Sequence, residues 1–200
     1  MSYLEKQFIF YASYHNDFTN QIIRIICIPI LLFTALIMLQ FTPPLMDGSM
    51  KLDFTSQPML NTVFPDSVEI EYNIALIFAA LYSIFYFFVE LPDGIVGILA
   101  SLMVVIMFIY SAHIQATMPD CLQTCAVIHV LSWVIQFLGH GIWEKRAPAL
   151  LDGIVQAFAM APLFVVMELF FMFGYRSEFR ERVQKSVDVN IEKFKDGKAK

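Results

Sequence analysis

The stretch from Ile22 to Phe41 reads IIRIICIPILLFTALIMLQF and carries a single charged residue, Arg24. A helix needs about 20 predominantly apolar residues to cross the hydrocarbon core of a bilayer, and this stretch has that length. Four further apolar segments follow, from Asn73 to Val89, Gly94 to Ile114, Leu122 to Trp143, and Ile154 to Tyr175. Because unpaired backbone groups are too costly in lipid, the pattern predicts an all-α, polytopic membrane helix bundle with four to five membrane-embedded helices.

The composition supports a membrane protein and excludes an ordinary soluble domain. Hydrophobic residues make up 58% of the chain and charged residues 16%, against roughly 45–50% and about 25% in soluble domains. We predict one membrane domain over residues 1–200, with a cytosolic segment at 1–21, the bundle at 22–175 and a charged cytosolic tail at 176–200. Basic and acidic residues alternate in that tail, which indicates a solvated helix near lipid headgroups rather than a surface for nucleic acid.

The loops predict the topology. The loop from Thr42 to Tyr72 contains many acidic residues and only one basic residue, Lys51, so we expect it to be lumenal, with both termini cytosolic. Five full crossings cannot place both ends on one side, so one segment does not cross fully. The fifth is the first candidate because Pro162 and Glu168 are both costly in lipid, and the fourth is the second candidate. No cleavable signal peptide is expected, because the amino terminus is polar and aromatic.

Several common chemistries have no support in the sequence. Cys27, Cys121 and Cys125 form no disulfide framework, and the CxxxC spacing lacks further cysteines for a zinc site, so we interpret them as structural thiols. Cys121 or Cys125 with His129 could in principle form a nucleophile and base, but helical neighbours four apart are common by chance. No GxSxG, GxGxxG, P-loop or HExxH motif occurs.

All four histidines, His15, His113, His129 and His140, fall in or beside membrane segments. A lone helical histidine can be a satisfied structural residue, but ionisable groups at membrane depth favour a function. His129 and His140 are eleven residues apart, or roughly 16 Å along an unbroken helix, so both bind one ion only if the helix breaks. Depth instead pairs His15 with His140 near the cytosolic side, and leaves His113 and His129 nearer the other side unless the fourth segment is re-entrant.

The segment around His140 has the strongest spacing signal. Gln136, His140 and Glu144 recur every four residues and share one face of a helix. An imidazole and a carboxylate one turn apart suit a metal site, either as two ligands or as a ligand and its supporting partner. Gly139 and Gly141 leave space for another helix or a ligand to approach.

Two basic residues follow directly. Lys145 and Arg146 could attract a headgroup or a substrate carboxylate. The alternative is an interfacial helix end with two basic side chains reaching the membrane surface. That alternative explains the basic pair but not Gln136 or the two glycines.

Several motifs along the chain resemble one family, the yeast-type 2-hydroxy fatty acid dioxygenases of the endoplasmic reticulum membrane. The motifs are Tyr14-His15 with Asn20, the first apolar segment with Pro29, the run QFLGHGIWEKRAPALLDGIVQ from Gln136 to Gln156, and Ala161-Pro162 with Glu168. The resemblance covers nearly the whole chain. The GHxxxEKRxPAL stretch is specific, whereas the short amino-terminal motif alone is weak.

The resemblance implies an iron(II)-dependent dioxygenase of fatty acid α-oxidation, linked to phytosphingosine breakdown. A 2-hydroxy fatty acid would react with molecular oxygen and lose one carbon, with His15 and His140 as iron ligands. The family usually has a histidine where this chain has Arg24. Either His129 or His113 compensates, or Arg24 binds the substrate carboxylate through its planar fork, or activity is lost.

The predicted roles follow from these observations. We predict catalytic roles for His15, His140 and Glu144, substrate binding by Arg24, Gln136, Lys145 and Arg146, and iron(II) binding by His15, His140, His129 and His113. The alternative is a catalytically inactive or non-enzymatic membrane protein that binds lipid or acts as a scaffold. A transporter has little support, because the chain has no repeated halves.

Overall fold

The chain is helical along most of its length in the computed structural model, which describes residues 3–90, 95–144 and 156–198. In these residues the α-helices are α1 (Tyr3–Tyr14), α2 (Phe18–Gln40), α3 (Pro58–Asn61), α4 (Ile74–Glu90), α5 (Val96–Thr117), α6 (Leu122–Gly139), α7 (Ala161–Met172) and α8 (Ser177–Lys198). A 3-10 turn (Pro119–Cys121) precedes α6, and π-helical segments follow α6 (His140–Glu144) and precede α7 (Gln156–Met160). The predicted all-α fold is confirmed.

Each predicted apolar segment contains a helix. The helix of the first segment, α2, begins four residues before the apolar run. Asp17 Oδ1 accepts hydrogen bonds from the backbone amides of Thr19 and Asn20 at 2.8 and 3.3 Å. These bonds satisfy amides that have no partner inside the helix, so α2 starts at Phe18 rather than at Ile22. The sequence did not predict α1, which lies in the segment interpreted as a polar amino terminus.

Three helical stretches in the described residues are long and apolar enough to cross a membrane: Phe18–Gln40, Val96–Thr117 and Pro119–Glu144. The apolar part of α4, Ile74–Val89, is shorter. The helical stretches Phe158–Met172 and Ser177–Lys193 are bent by 116° at a short break, so this region is not one straight span. A multi-pass membrane protein is therefore supported. The number of crossings and the side of each terminus remain predictions.

Contacts divide the chain into two compact units, and the first comprises residues 1–28 and 133–200. Phe8 of α1 makes edge-to-face contacts with Phe164 and Phe171 of α7, at ring-centroid distances of 5.1 and 5.5 Å. Helix α8 packs against α1 and buries three apolar side chains, Phe179, Val183 and Val187. The charged tail is thus a helix, as predicted, but one of its faces is buried against protein.

The second unit comprises residues 29–132, in which α4 and α5 pack against each other. Its acidic loop contains an antiparallel hairpin that the sequence did not predict, between β1 (Ser49–Asp53) and β2 (Ser67–Glu71), in which Ser49 faces Glu71. Val68 and Ile70 are buried while the residues between and beside them are exposed. This alternation with a period of two was the available signal for a strand.

Candidate functional site

The imidazole rings of His15 and His140 lie together in the first unit, with centroids 4.8 Å apart and planes inclined at 65°. Both side chains are buried. His15 Nδ1 lies 2.6 Å from the carbonyl oxygen of Tyr11, and because a carbonyl can only accept, Nδ1 is the donor. In the neutral ring this leaves the lone pair on Nε2, which is the state required of a metal ligand.

A close contact between helices positions His140. A side-chain carbon added at Gly139 would lie 2.8 Å from Asn20 Oδ1 and 3.3 Å from Ile23 Cδ1, so a larger residue here would force the Asn20 side chain to move. Gly139 therefore has the predicted role in close approach. Nothing lies within 4 Å of the corresponding position at Gly141. His140 begins the π-helical segment directly after this contact, a feature that is frequent at functional sites.

Glu144 contacts the beginning of α2. Its Oε1 accepts hydrogen bonds from the backbone amide of Asp17 at 2.9 Å and from Asn20 Nδ2 at 3.0 Å. A carboxylate is favoured there, because unsatisfied amides and the helix dipole make the amino end of a helix positive. The π-helical segment also interrupts the regular spacing from Gln136 to Glu144 that the sequence suggested. The predicted catalytic role of Glu144 stays a prediction.

Three buried polar atoms near this contact have no hydrogen-bond partner among the described residues: Asn20 Oδ1, Gln136 Nε2 and His140 Nδ1. A buried donor or acceptor left unpaired costs about 1–3 kcal/mol. Such atoms in a native protein require an explanation, and a bound water, an ion or a functional role are among those known. These atoms belong to two predicted site residues, Gln136 and His140, and to Asn20, which lies beside Gly139.

Arg24, Tyr11 and Glu168 form a buried chain of hydrogen bonds. Arg24 Nε donates to the Tyr11 hydroxyl at 3.1 Å, and that hydroxyl donates to Glu168 Oε2 at 3.1 Å. The Arg24 guanidinium carbon also lies 4.7 Å from the centroid of the Tyr11 ring. Burial raises the pKa of the Tyr11 phenol well above its usual value, so the hydroxyl keeps its proton.

Neither Tyr11 nor Glu168 was predicted to take part in this arrangement. Arg24 lies in the first predicted apolar segment and Glu168 in the last. Opposite charges at membrane depth tend to pair inside a protein, and this was the signal that could have linked the two. Tyr11 carried no comparable signal, because the chain has many aromatic residues.

Glu168 also borders a cavity of about 60 Å³ in the first unit. Its walls are mainly apolar and come from α1, α2, α7 and α8, with Phe8, Ile22, Ile25 and Phe171 among the lining residues. The cavity lies between these four helices.

The other predicted site residues belong to the second unit or are outside the described residues. His129 and His113 belong to the second unit, where His129 Nδ1 lies 2.8 Å from Thr34 Oγ1. Lys145 and Arg146 lie outside the described residues. In the ranges 3–90, 95–144 and 156–198, no group of three or more His, Cys, Asp or Glu side chains is placed to hold a metal ion.

The residues fit a metal ion in part. His15 and His140 supply two neighbouring imidazoles, the buried Nδ1 of His140 has no partner in the described chain, and imidazole suits iron. Glu144 Oε1 is already engaged at the start of α2. The described residues therefore offer a histidine pair for a metal ion.

Together these features define a multi-pass, all-α membrane protein with a buried histidine pair. The chain belongs to a family described as 2-hydroxy-palmitic acid dioxygenase Mpo1-like, whose profile matches residues 1–173. It is 28% identical over 189 residues to the 2-hydroxy-palmitic acid dioxygenase MPO1 of Saccharomyces cerevisiae. The aligned region covers 93% of this chain and 90% of the yeast protein. No solved structure matches the chain. The family predicted from the sequence motifs is confirmed.

Proposed function

We propose that this chain is an iron(II)-dependent dioxygenase that removes one carbon from 2-hydroxy fatty acids, in α-oxidation and phytosphingosine breakdown at the endoplasmic reticulum. The observation that carries the proposal is the contact between the buried rings of His15 and His140, 4.8 Å apart. Two histidines from distant parts of the sequence meet in a chain that belongs to a dioxygenase family. Both termini would face the cytosol.

His15 and His140 would hold the iron. Bound iron(II) would supply the redox chemistry that makes molecular oxygen reactive. The hydrogen bond from His15 Nδ1 to the Tyr11 carbonyl fixes the ring and directs its other nitrogen toward ligand binding. His129, His113 and Glu144 stay predictions for further ligands.

Arg24 would bind the substrate carboxylate. Among the described residues the Arg24 guanidinium donates one hydrogen bond, from Nε to Tyr11, so its two terminal nitrogens remain available. A guanidinium fork binds a carboxylate through two parallel hydrogen bonds, which fixes both position and orientation. The unpaired Nε2 of Gln136 offers a further donor for the carboxylate or the 2-hydroxyl. Lys145 and Arg146 would attract the acid to the membrane surface.

The acyl chain would lie between helices, and the cavity beside Glu168 is the candidate for part of it. The reaction balances without a further reductant. One 2-hydroxy acid and one O₂ give an acid one carbon shorter, carbon dioxide and water. The four electrons that the two oxidised carbons lose are the four that the oxygen molecule accepts.

The test is iron content and oxygen consumption with 2-hydroxypalmitate, for purified wild type, His15→Ala and His140→Ala. We expect about one iron per chain in the wild type, and a loss of turnover of at least about 100-fold in both variants. Gln123→Ala, on an exposed position of the same helix as Gln136, is the control and should retain both. Wild type that takes up no iron(II) under anaerobic reconstitution would contradict the proposal.

A catalytically inactive lipid-binding or scaffolding protein is the second candidate. The observation that favours it is the lack, within the described residues, of a third His, Cys, Asp or Glu placed with the histidine pair. It predicts that 2-hydroxypalmitate binds without iron and without oxygen consumption. The same experiment therefore separates the two candidates.

A further inference from the structure

The chain Arg24–Tyr11–Glu168 has a fixed direction. A guanidinium only donates and a carboxylate only accepts, so the hydroxyl between them accepts from Arg24 and donates to Glu168. Each side chain is buried, with an exposed fraction of 8% or less. The Tyr11 hydroxyl thus accepts one hydrogen bond and donates its only proton to the other.

The interposed phenol also decides which part of Arg24 is occupied. A direct ion pair with Glu168 would normally engage the terminal nitrogens of the guanidinium in a bidentate contact. Here Tyr11 takes Nε instead, while its ring lies against the guanidinium, with 4.7 Å between the guanidinium carbon and the ring centroid. The Glu168 carboxyl group thus contacts Tyr11 and leaves the terminal nitrogens of Arg24 uncovered.

We propose that Tyr11 and Glu168 are positioning residues that hold the Arg24 guanidinium so that its terminal nitrogens bind the carboxylate of the fatty acid. The inference rests on the proposed function, because it assumes a carboxylate substrate. It adds two residues that the sequence did not assign to the site. It also assigns them to recognition of the acid group rather than to metal binding.

The test measures KM, kcat and iron content for Tyr11→Phe, Glu168→Leu and Glu168→Gln. Anaerobic dissociation constants are measured for 2-hydroxypalmitate and for hexadecane-1,2-diol, which has the hydroxyl but no carboxylate. We expect KM and Kd for the acid to rise about tenfold in Tyr11→Phe and Glu168→Leu, the effect of weakening one charge-assisted interaction. Glu168→Gln keeps an acceptor for the phenol, so we expect it to recover most of the affinity.

The diol separates positioning from a general structural effect. In Tyr11→Phe and Glu168→Leu, the Kd for the diol should stay within about twofold of the wild-type value. The same holds for kcat and iron content, because none of these three quantities depends on the orientation of the guanidinium fork. Tyr175→Phe, whose ring packs on Phe170 in the same unit, and the exposed Glu178→Gln are the matched controls. A merely structural role would instead lower iron content and kcat and weaken both ligands alike.

Each failure has its own signature. Turnover by the wild type with an unchanged KM in Tyr11→Phe would overturn the positioning role and leave the proposed function intact. Binding of the acid that weakens selectively in Tyr11→Phe, with no turnover by any sample, would overturn the dioxygenase and support positioning. A wild type that does not bind the acid more tightly than the diol would overturn the carboxylate role of Arg24 and the positioning role with it.

Discussion

The two units of the molecule treat their buried polar groups differently. In the second unit Gln40 Nε2 donates to Ser111 Oγ at 2.9 Å, and Asn73 Nδ2 donates to Gln40 Oε1 at 2.9 Å. In the first unit Gln136 Nε2 and His140 Nδ1 are buried without a partner in the described chain. The side-chain amide of Gln40 therefore joins helices in the second unit, whereas the amide nitrogen of Gln136 in the first unit has no partner in the described chain.

The difference indicates what each set of groups does. A paired polar network inside a helical membrane protein stabilises one arrangement of its helices. Unpaired buried groups reduce stability, and they persist where they serve a ligand. The second unit has one exception, the Tyr86 hydroxyl, which also lacks a partner in the described residues. In the first unit, in contrast, such atoms belong to the predicted site residues Gln136 and His140.

The largest expected contrast is between two glutamines. Gln136→Leu removes an unpaired buried donor, so we expect the free energy of unfolding to stay the same or to rise by up to about 1–3 kcal/mol, while turnover of 2-hydroxypalmitate falls about 10- to 100-fold. Oxygen consumption and reversible unfolding in mixed micelles measure the two quantities. Turnover that stays at the wild-type level would remove Gln136 from the site.

Gln40→Leu is expected to do the opposite. It leaves Ser111 and Asn73 without their partner, so we expect a loss of about 1–3 kcal/mol in the free energy of unfolding, with turnover per folded molecule retained. The same two assays apply. If turnover fell as much in Gln40→Leu as in Gln136→Leu, the buried polar groups of the two units would not differ in function.

A glycine pair within the first unit gives an effect of similar size on stability. In Gly139→Ala the new carbon would lie 2.8 Å from Asn20 Oδ1, and overpacking of this kind costs about 1–3 kcal/mol. Gly141→Ala has open space and is the matched control, with an expected change within about 0.5 kcal/mol. Thermal unfolding measures the stability of each variant relative to wild type. Equal stabilities would show that α2 and α6 do not require the close contact.

The smallest expected effect concerns the histidine of the second unit. Thr34→Val removes the hydroxyl 2.8 Å from His129 Nδ1, and hydrogen bonds between membrane helices are worth about 0.6 kcal/mol on average. We expect a stability loss of that order, with Thr124→Val, exposed on α6, as the control. Loss of bound iron in Thr34→Val alone would instead make His129 part of the metal site.

The sequence determined the class of fold, because length and apolar composition are sufficient to specify helices in a bilayer. The five apolar segments led to helices in the described residues, while the prediction from Pro162 and Glu168 that the fifth segment does not cross fully stays a prediction, because the observed bend lies after Met172. The hairpin and α1 were missed because they are short and stabilised by contacts with distant residues. Motifs that extend over nearly the whole chain were sufficient to identify the family.

Only the tertiary structure decided which residues meet. Spacing along a helix placed Gln136, His140 and Glu144 together, but the π-helical segment and the amino end of α2 determine where the Glu144 carboxylate binds. Arg24 and Glu168 were each visible as a charge in an apolar segment, yet nothing local showed that Tyr11 joins them. The physical reason is that helix periodicity is a local property, whereas the packing of one helix on another depends on side chains far apart in the sequence.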